Sequence, residues 1–327
     1  MTIKERIIEL LGEVGEISVK ELVDRLDVTK QSIHLVMNQL LAEGRVQKLG
    51  RVPKTVYRWQ EISKLVPQQE WILKDGQFDF LNTHFLLITE SGEMLNGIEG
   101  FARWCKNRKL PVNKTVDEYI DTLERYLAYK DENGLINGMP KLLNTKEFDA
   151  IFLDALYYVD FYAIERFGKT RLGTLLHFAK QGQNKMLMKQ LVSATQQPIK
   201  LFVQNEHFDA VGFVPPTIRR EVQIMKYLEI HLKLPLPKLR LQKLSGLIPV
   251  PQKSLQKMDE RIRNARNSFA IADTNPYEHV LLIDDAVGSG ATLNQIAEKL
   301  KQKGIAKKVS AIAIVGSFKG FDVITDV

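Results

Sequence analysis

The chain has 327 residues, of which 44% are hydrophobic and 26% are charged, a composition typical of a globular protein with two or three domains. The formal net charge of +7 is compatible with an anionic partner but does not require one. A single cysteine, Cys105, excludes a disulfide framework and a cysteine zinc cluster, and no apolar run is long enough to span a membrane. We therefore expect a cytoplasmic protein with no signal peptide and no membrane partner.

Residues 1–60 have the pattern of three short helices followed by a β-hairpin. Apolar residues recur at helical spacing in the first of these segments. Ser18 and Glu21 form a capping box for the second helix, and Thr29 caps the third. Two β-prone runs flank a Gly/Pro turn at residues 50–54, which predicts a hairpin.

This order of elements resembles the winged helix-turn-helix domain of bacterial transcription regulators. In that family the third helix enters the major groove of DNA and the hairpin contacts phosphates, so the resemblance implies a DNA-binding domain. The third helix would contact base edges or phosphates through Lys30, Gln31, His34 and Asn38. The hairpin would pair with phosphates through Lys48, Arg51, Lys54 and Arg58. The alternative for the same segment is a dimerisation module whose polar face is merely solvated.

Residues 61–150 carry no motif, and no family resemblance extends over them. Short strands are predicted at Trp71–Gly76 and at Phe85–Ile88, and apolar spacing predicts a helix over Val116–Tyr126. The run Ile151–Phe167 is dense in apolar and aromatic residues and predicts a buried helix. We expect core and spacer roles here, in a mostly helical middle segment.

A strand, a glycine-rich turn, a helix and a second strand are predicted near the C-terminus. His279–Asp284 and Val309–Val315 are continuous apolar runs of the kind found in parallel strands buried on both faces. Between them, the apolar spacing from Leu293 to Leu300 predicts a helix. Gly288–Thr292 therefore falls at the carboxyl end of a strand and at the N-terminus of a helix, where α/β proteins bind anions.

The acidic pair Asp284 and Asp285 narrows the choice of anion. The loop lacks the lysine of a nucleoside-triphosphate P-loop and the third glycine of a dinucleotide site. Two carboxylates would repel a bare phosphate, but they can accept hydrogen bonds from ribose hydroxyls, and Mg²⁺ would offset their charge. A phosphorylated ribose fits these residues, and we expect no direct protein ligand to the metal other than Asp284 and Asp285.

The run Val280–Leu293 resembles the motif with which type I phosphoribosyltransferases bind phosphoribosyl pyrophosphate (PRPP), and the match is nearly complete. The resemblance implies that Asp284 and Asp285 take the ribose hydroxyls. It implies a cradle for the 5-phosphate formed by Val287, Gly288, Ser289, Gly290, Ala291 and Thr292. The expected fold is α/β, with a parallel sheet flanked by helices.

Other segments are similar to the competence protein F branch of this superfamily. They are His177–Gly182, and Pro251–Leu255 with Arg261, Asn264 and Phe269. The segment Phe208–Pro216, followed by Arg219 and Arg220, resembles the strand and loop that hold pyrophosphate in type I phosphoribosyltransferases, which implies ligand contacts from Pro215, Arg219 and Arg220. That branch usually carries an N-terminal cysteine zinc ribbon, which a chain with only Cys105 cannot form.

A basic segment follows the pyrophosphate loop and contains Lys243, Lys253, Lys257, Arg261, Arg263 and Arg266. In phosphoribosyltransferases such a loop closes over pyrophosphate and shields the reacting carbon from water, which implies a catalytic role for Arg261 beside Asp284 and Asp285. The alternative is a solvated basic helix. Phe321 and Asp322, after the last strand, are candidates for holding a nucleobase.

Three functions are compatible with these motifs. The first is a DNA-binding regulator that responds to PRPP, the organisation of the winged-helix purine repressors of Gram-positive bacteria. The second is an active, Mg²⁺-dependent phosphoribosyltransferase that joins a nucleobase to C1 of PRPP and releases pyrophosphate. The third is a defence or retron-type effector that acts on nucleotides. By analogy with winged-helix regulators we expect a homodimer, with domains at residues 1–60, 61–150 and 151–327.

Overall fold

The computed structural model describes residues 2–42, 45–51, 54–59, 71, 73–216, 220–244, 262 and 268–318, although not the side chains of residues 42, 51 and 54. By its internal contacts the chain divides into two compact units, Met1–Ile72 and Leu73–Val327. The fold is α/β. None of the helices in the described ranges combines the length and apolar character that a membrane crossing requires.

The first unit contains the three predicted helices and the predicted hairpin. Its elements are α1 (Ile3–Val14), β1 (Glu16–Ser18), α2 (Val19–Leu26), α3 (Lys30–Ala42), β2 (Val46–Arg51) and β3 (Lys54–Trp59). The capping box is confirmed, because Ser18 Oγ accepts from Glu21 N at 3.2 Å and Glu21 Oε2 accepts from Ser18 N at 2.8 Å. The strand β1, which the sequence did not predict, pairs with β3 to make an antiparallel sheet of order β1-β3-β2.

The second unit contains the remaining elements. Its helices are α4 (Gln77–His84), α5 (Gly97–Asn107), α6 (Val112–Leu127), α7 (Met139–Leu143), α8 (Arg171–Gln181), α9 (Lys185–Glu206), α10 (Ile224–His231) and α11 (Ala291–Gln302). Its strands are β4 (Leu86–Ile88), β5 (Met94–Asn96), β6 (Ile136–Asn137), β7 (Ala155–Phe161), β8 (Ala163–Ile164), β9 (Gly168–Lys169), β10 (Ala210–Phe213), β11 (Leu241–Lys243), β12 (Phe269–Ile271), β13 (Tyr277–Val287) and β14 (Ala306–Gly316).

A five-stranded sheet forms the centre of the second unit, in the order β10-β13-β14-β7-β6. The first four strands are parallel and β6 is an antiparallel edge. Successive residues of β13 belong to different hydrophobic clusters: Leu282 lies in the same cluster as the α11 residues Leu293 and Ile296, whereas Leu281 lies in the cluster that contains Leu175 of α8. Helices therefore cover both faces, which explains the continuous apolar runs in the sequence.

Two expectations for the middle of the chain were wrong. Most of Ile151–Phe167 is not a helix, because it contains β7, which pairs with β14 and has buried side chains on both faces. The described residues of Trp71–Gly76 form no strand and lead instead through a turn into α4. Residues 73–150 contribute Phe101 and Val116 to the hydrophobic core that also contains residues of the sheet.

Candidate functional site

The predicted phosphate loop joins β13 to α11 at the carboxyl edge of the sheet. Gly290 precedes α11 with a left-handed backbone, at φ of 80°, and its carbonyl accepts the helical hydrogen bond from Asn294 N at 2.9 Å. A Cβ atom added at Gly290 would lie 2.6 Å from Leu142 Cδ1, so the backbone conformation favours glycine and a larger residue would also displace the Leu142 side chain. The backbone N–H groups at the start of α11 and the helix dipole make this loop suitable for an anion.

The acidic pair lies within β13, which continues to Val287 and is longer than the predicted run that ended at Asp284. Asp285 is buried and Asp284 is partly buried, and Asp285 N donates to Asp284 Oδ1 at 2.8 Å. The pKa of Asp284 is raised to about 7. The larger cause is the removal of its carboxyl group from water, and the smaller is the negative charge of Asp285. Asp284 therefore holds its proton more tightly than an ordinary carboxyl group does.

A lysine that the sequence had not marked as functional neutralises one of these acids. Lys180 lies in the last turn of α8, and its ammonium is 2.6 Å from Asp285 Oδ2. About a quarter of the Lys180 side chain is exposed (26%), against 8% for Asp285, so the pair is largely withdrawn from solvent. No local sequence signal identifies this partner, because residues 180 and 285 meet only through the packing of α8 against the sheet.

Arg220, predicted to bind the ligand, instead holds the end of α8. Its guanidinium donates to the backbone carbonyl of Lys180 and, at 3.0 Å, to Gln181 Oε1. Pro215 lies just beyond the carboxyl end of β10 and is partly buried. Arg219 lies outside the described residues. The same is true of most of the basic segment, namely Lys253, Lys257, Arg261, Arg263 and Arg266, and of Phe321 and Asp322.

A second lysine reaches this edge from the segment to which the sequence gave no function. Lys141, on α7, donates to the backbone carbonyl of Ser317 at 2.9 Å and also to Ser317 Oγ. Ser317 N in turn donates to Val287 O at 3.1 Å, which connects Lys141 to the end of β13. Burial lowers the pKa of Lys141 to about 8. Since the adjacent Leu142 is the residue that limits space at Gly290, α7 forms part of the wall of the site.

Aromatic rings gather beside the same edge, just after β14. Phe318 has ring centroids 5.0 Å from Tyr126, and 5.4 Å from both Tyr129 and Phe161. Tyr129 is 54% exposed, so part of this cluster faces solvent. An exposed ring such as that of Tyr129 can stack on a nucleobase, and two of these rings come from α6 or its C-terminal end, where the sequence gave no such indication.

In the first unit, the four residues predicted to contact DNA from α3 lie on one exposed face: Lys30, Gln31, His34 and Asn38. Leu35 lies on the same side of the helix and is 71% exposed. In the hairpin, Lys48 is exposed, whereas the exposed Arg58 is already paired with Glu16, with Nε 2.5 Å from Glu16 Oε1. The side chains of Arg51 and Lys54 lie outside the described part of the chain.

The acidic pair was also the predicted protein contact for Mg²⁺, and each of its two carboxylates has a partner within the chain. Asp285 is engaged by an ammonium and Asp284 by a backbone N–H. Across the described residues, no group of three or more His, Cys, Asp or Glu side chains could hold a metal ion. The chain matches no protein-family profile, and no curated protein is significantly similar to it.

Proposed function

We propose that this protein is a DNA-binding regulator whose second unit binds a ribose 5-phosphate group, most directly that of PRPP. The observation that carries this proposal is the loop Gly288–Gly290, which follows a strand with two acids near its carboxyl end and precedes a helix at the carboxyl edge of a parallel sheet. This arrangement supports the resemblance of the sequence to the phosphoribosyltransferase motif.

The phosphate would bind at the N-terminus of α11, where backbone N–H groups and the helix dipole favour an anion. Ser289 and Thr292 are partly exposed there and would add hydroxyl donors. Asp284 and Asp285 would accept hydrogen bonds from the ribose hydroxyls, and this separates phosphate recognition from sugar recognition.

The DNA-binding part of the proposal depends on the first unit, which we interpret as a winged helix-turn-helix domain. The exposed polar face of α3 and the basic hairpin are the surfaces that would meet the major groove and the phosphates. In a homodimer, the ligand would act by favouring one arrangement of the two DNA-binding units over another.

Catalysis of phosphoribosyl transfer is the second candidate function, and Lys141 is the observation that favours it. A partly buried cation at the edge of a proposed ribose site could stabilise charge that develops on departing pyrophosphate. A closing loop that contains Arg261 would complete such a site, as the family resemblance implies.

The test is pyrophosphate release from magnesium-PRPP, measured with and without a mixture of nucleobases, in protein shown by calorimetry to bind PRPP. For a regulator we expect binding without release, followed by ligand-dependent capture of genomic DNA fragments. Base-dependent release would show an enzyme instead. Failure to bind PRPP or ribose 5-phosphate would contradict both functions.

A further inference from the structure

We infer that Lys180 supplies the positive charge that the acidic pair needs, so that the site binds a ribose 5-phosphate group without a divalent metal ion. This inference rests on the proposed function and adds a property to the same site. Its starting point is the 2.6 Å contact between Lys180 Nζ and Asp285 Oδ2, in which both side chains are largely shielded from water.

The contact between Lys180 and Asp285 reduces the electrostatic repulsion between the acidic pair and a bound phosphate. A phosphate bound at the N-terminus of α11 lies a few residues from two carboxylates, and their repulsion is stronger where water is excluded. Protonation of Asp284 offsets part of it, and either a bound cation or a cation of the chain must offset the rest. Lys180 is already placed against Asp285, where it leaves the other Asp285 oxygen available as an acceptor for a ribose hydroxyl.

The position of Lys180 is fixed by contacts outside the pair. Arg220 donates to the Lys180 carbonyl and to the side chain of Gln181, and Gln183 Oε1 accepts from Val222 N at 2.9 Å. These bonds attach the end of α8 to the segment that follows β10. Because these bonds fix the end of α8 and Asp285 holds the ammonium, Lys180 is already ordered before the ligand binds. Its charge therefore acts without the entropic cost of ordering the side chain.

The experiment measures the affinity for ribose 5-phosphate by calorimetry in EDTA and in magnesium chloride. Ribose 5-phosphate is preferred to PRPP as the probe, because pyrophosphate itself binds Mg²⁺ and would make any affinity appear to depend on the metal. We expect the two affinities of the unmodified protein to agree within about a factor of two. Binding that requires magnesium would overturn the inference and leave the proposed function standing. Absence of binding in both solutions would overturn both.

Lys180→Met keeps the length of the side chain and removes its charge. We expect this variant to bind ribose 5-phosphate at least about tenfold more weakly in EDTA, and to recover part of the loss when magnesium is added. The matched control is Lys189→Met, which removes the same charge from an exposed position on α9. An unchanged affinity of folded Lys180→Met in EDTA would contradict the role of the lysine.

Discussion

Arg58 and Glu16 face each other across the antiparallel pairing of β3 with β1, and the guanidinium donates to the carboxylate. Both side chains are about half exposed, so the pair adds little to stability, but it lowers the positive charge that the hairpin can offer to DNA. Arg58 would have to leave Glu16 before it could bind a phosphate, so Glu16 competes with DNA for this arginine.

Glu16→Gln removes that competitor. We expect tighter binding to DNA and a steeper dependence of the binding constant on salt, by about 0.9 in the log–log slope, because one more phosphate is neutralised. Fluorescence anisotropy over a range of salt concentrations measures both quantities. The control is Glu13→Gln, which changes the net charge equally at an exposed position on α1. If both variants gain equally, the effect comes from net charge and not from Arg58.

We expect the acidic pair to bind the ribose and the loop to bind the phosphate, and the two can be measured separately. Asp284→Asn combined with Asp285→Asn should weaken ribose 5-phosphate binding by at least about tenfold, since charged acceptors for the hydroxyls are lost. Binding of inorganic phosphate should persist, because the loop is unchanged. Calorimetry with the two ligands gives the comparison, and circular dichroism checks the fold. Equal loss of both ligands would remove the assignment of the acids to the ribose.

The sequence predicts the loop and its neighbours because each signal there is local. An apolar run, two glycines and an amphipathic stripe each depend on residues close together in the chain. The sequence did not identify Lys180 or Lys141, since each meets the site only through contacts that join distant segments. The helix predicted over Ile151–Phe167 failed for another reason. A strand buried on both faces is apolar at most positions, so its periodicity does not distinguish it from a buried helix.

Gly290 is constrained by its backbone and by Leu142, and Gly304 offers a matched control. Gly304 also has a positive φ, at 66°, but a Cβ atom added there meets nothing within 4 Å. Gly304→Ala should cost about 1 kcal/mol of unfolding free energy from backbone strain alone. Gly290→Ala should cost more, because the Leu142 side chain must also shift, and it should weaken phosphate binding. Urea denaturation and calorimetry measure the two effects. Equal costs, with phosphate binding kept, would mean that Leu142 does not limit the loop.

Because the pKa of Lys141 is lowered in the folded protein, we expect its contribution to stability to rise with pH. Burial lowers its pKa from 10.5 in the unfolded chain to about 8 in the folded protein, so folding favours the neutral amine. Below about pH 8 both states hold the proton, and the cost of burying the charge is present in full. Between about pH 8 and pH 10.5 only the unfolded state keeps the proton, so the unfolding free energy contributed by this group rises with pH.

Lys141→Met should abolish that contribution. We expect the variant to be relatively more stable at neutral pH than at pH near 10, as judged by the difference from the unmodified protein in urea denaturation. The comparison needs a matched change, because other lysines titrate in the same window. Lys146→Met, at an exposed position shortly after α7, serves this purpose. If the two variants differ from the unmodified protein in the same way across this range, the charge of Lys141 is not buried in solution. The reading of α7 as a wall of the site would then have to be revised, because a solvated lysine at this edge would leave the phosphate loop open on that side.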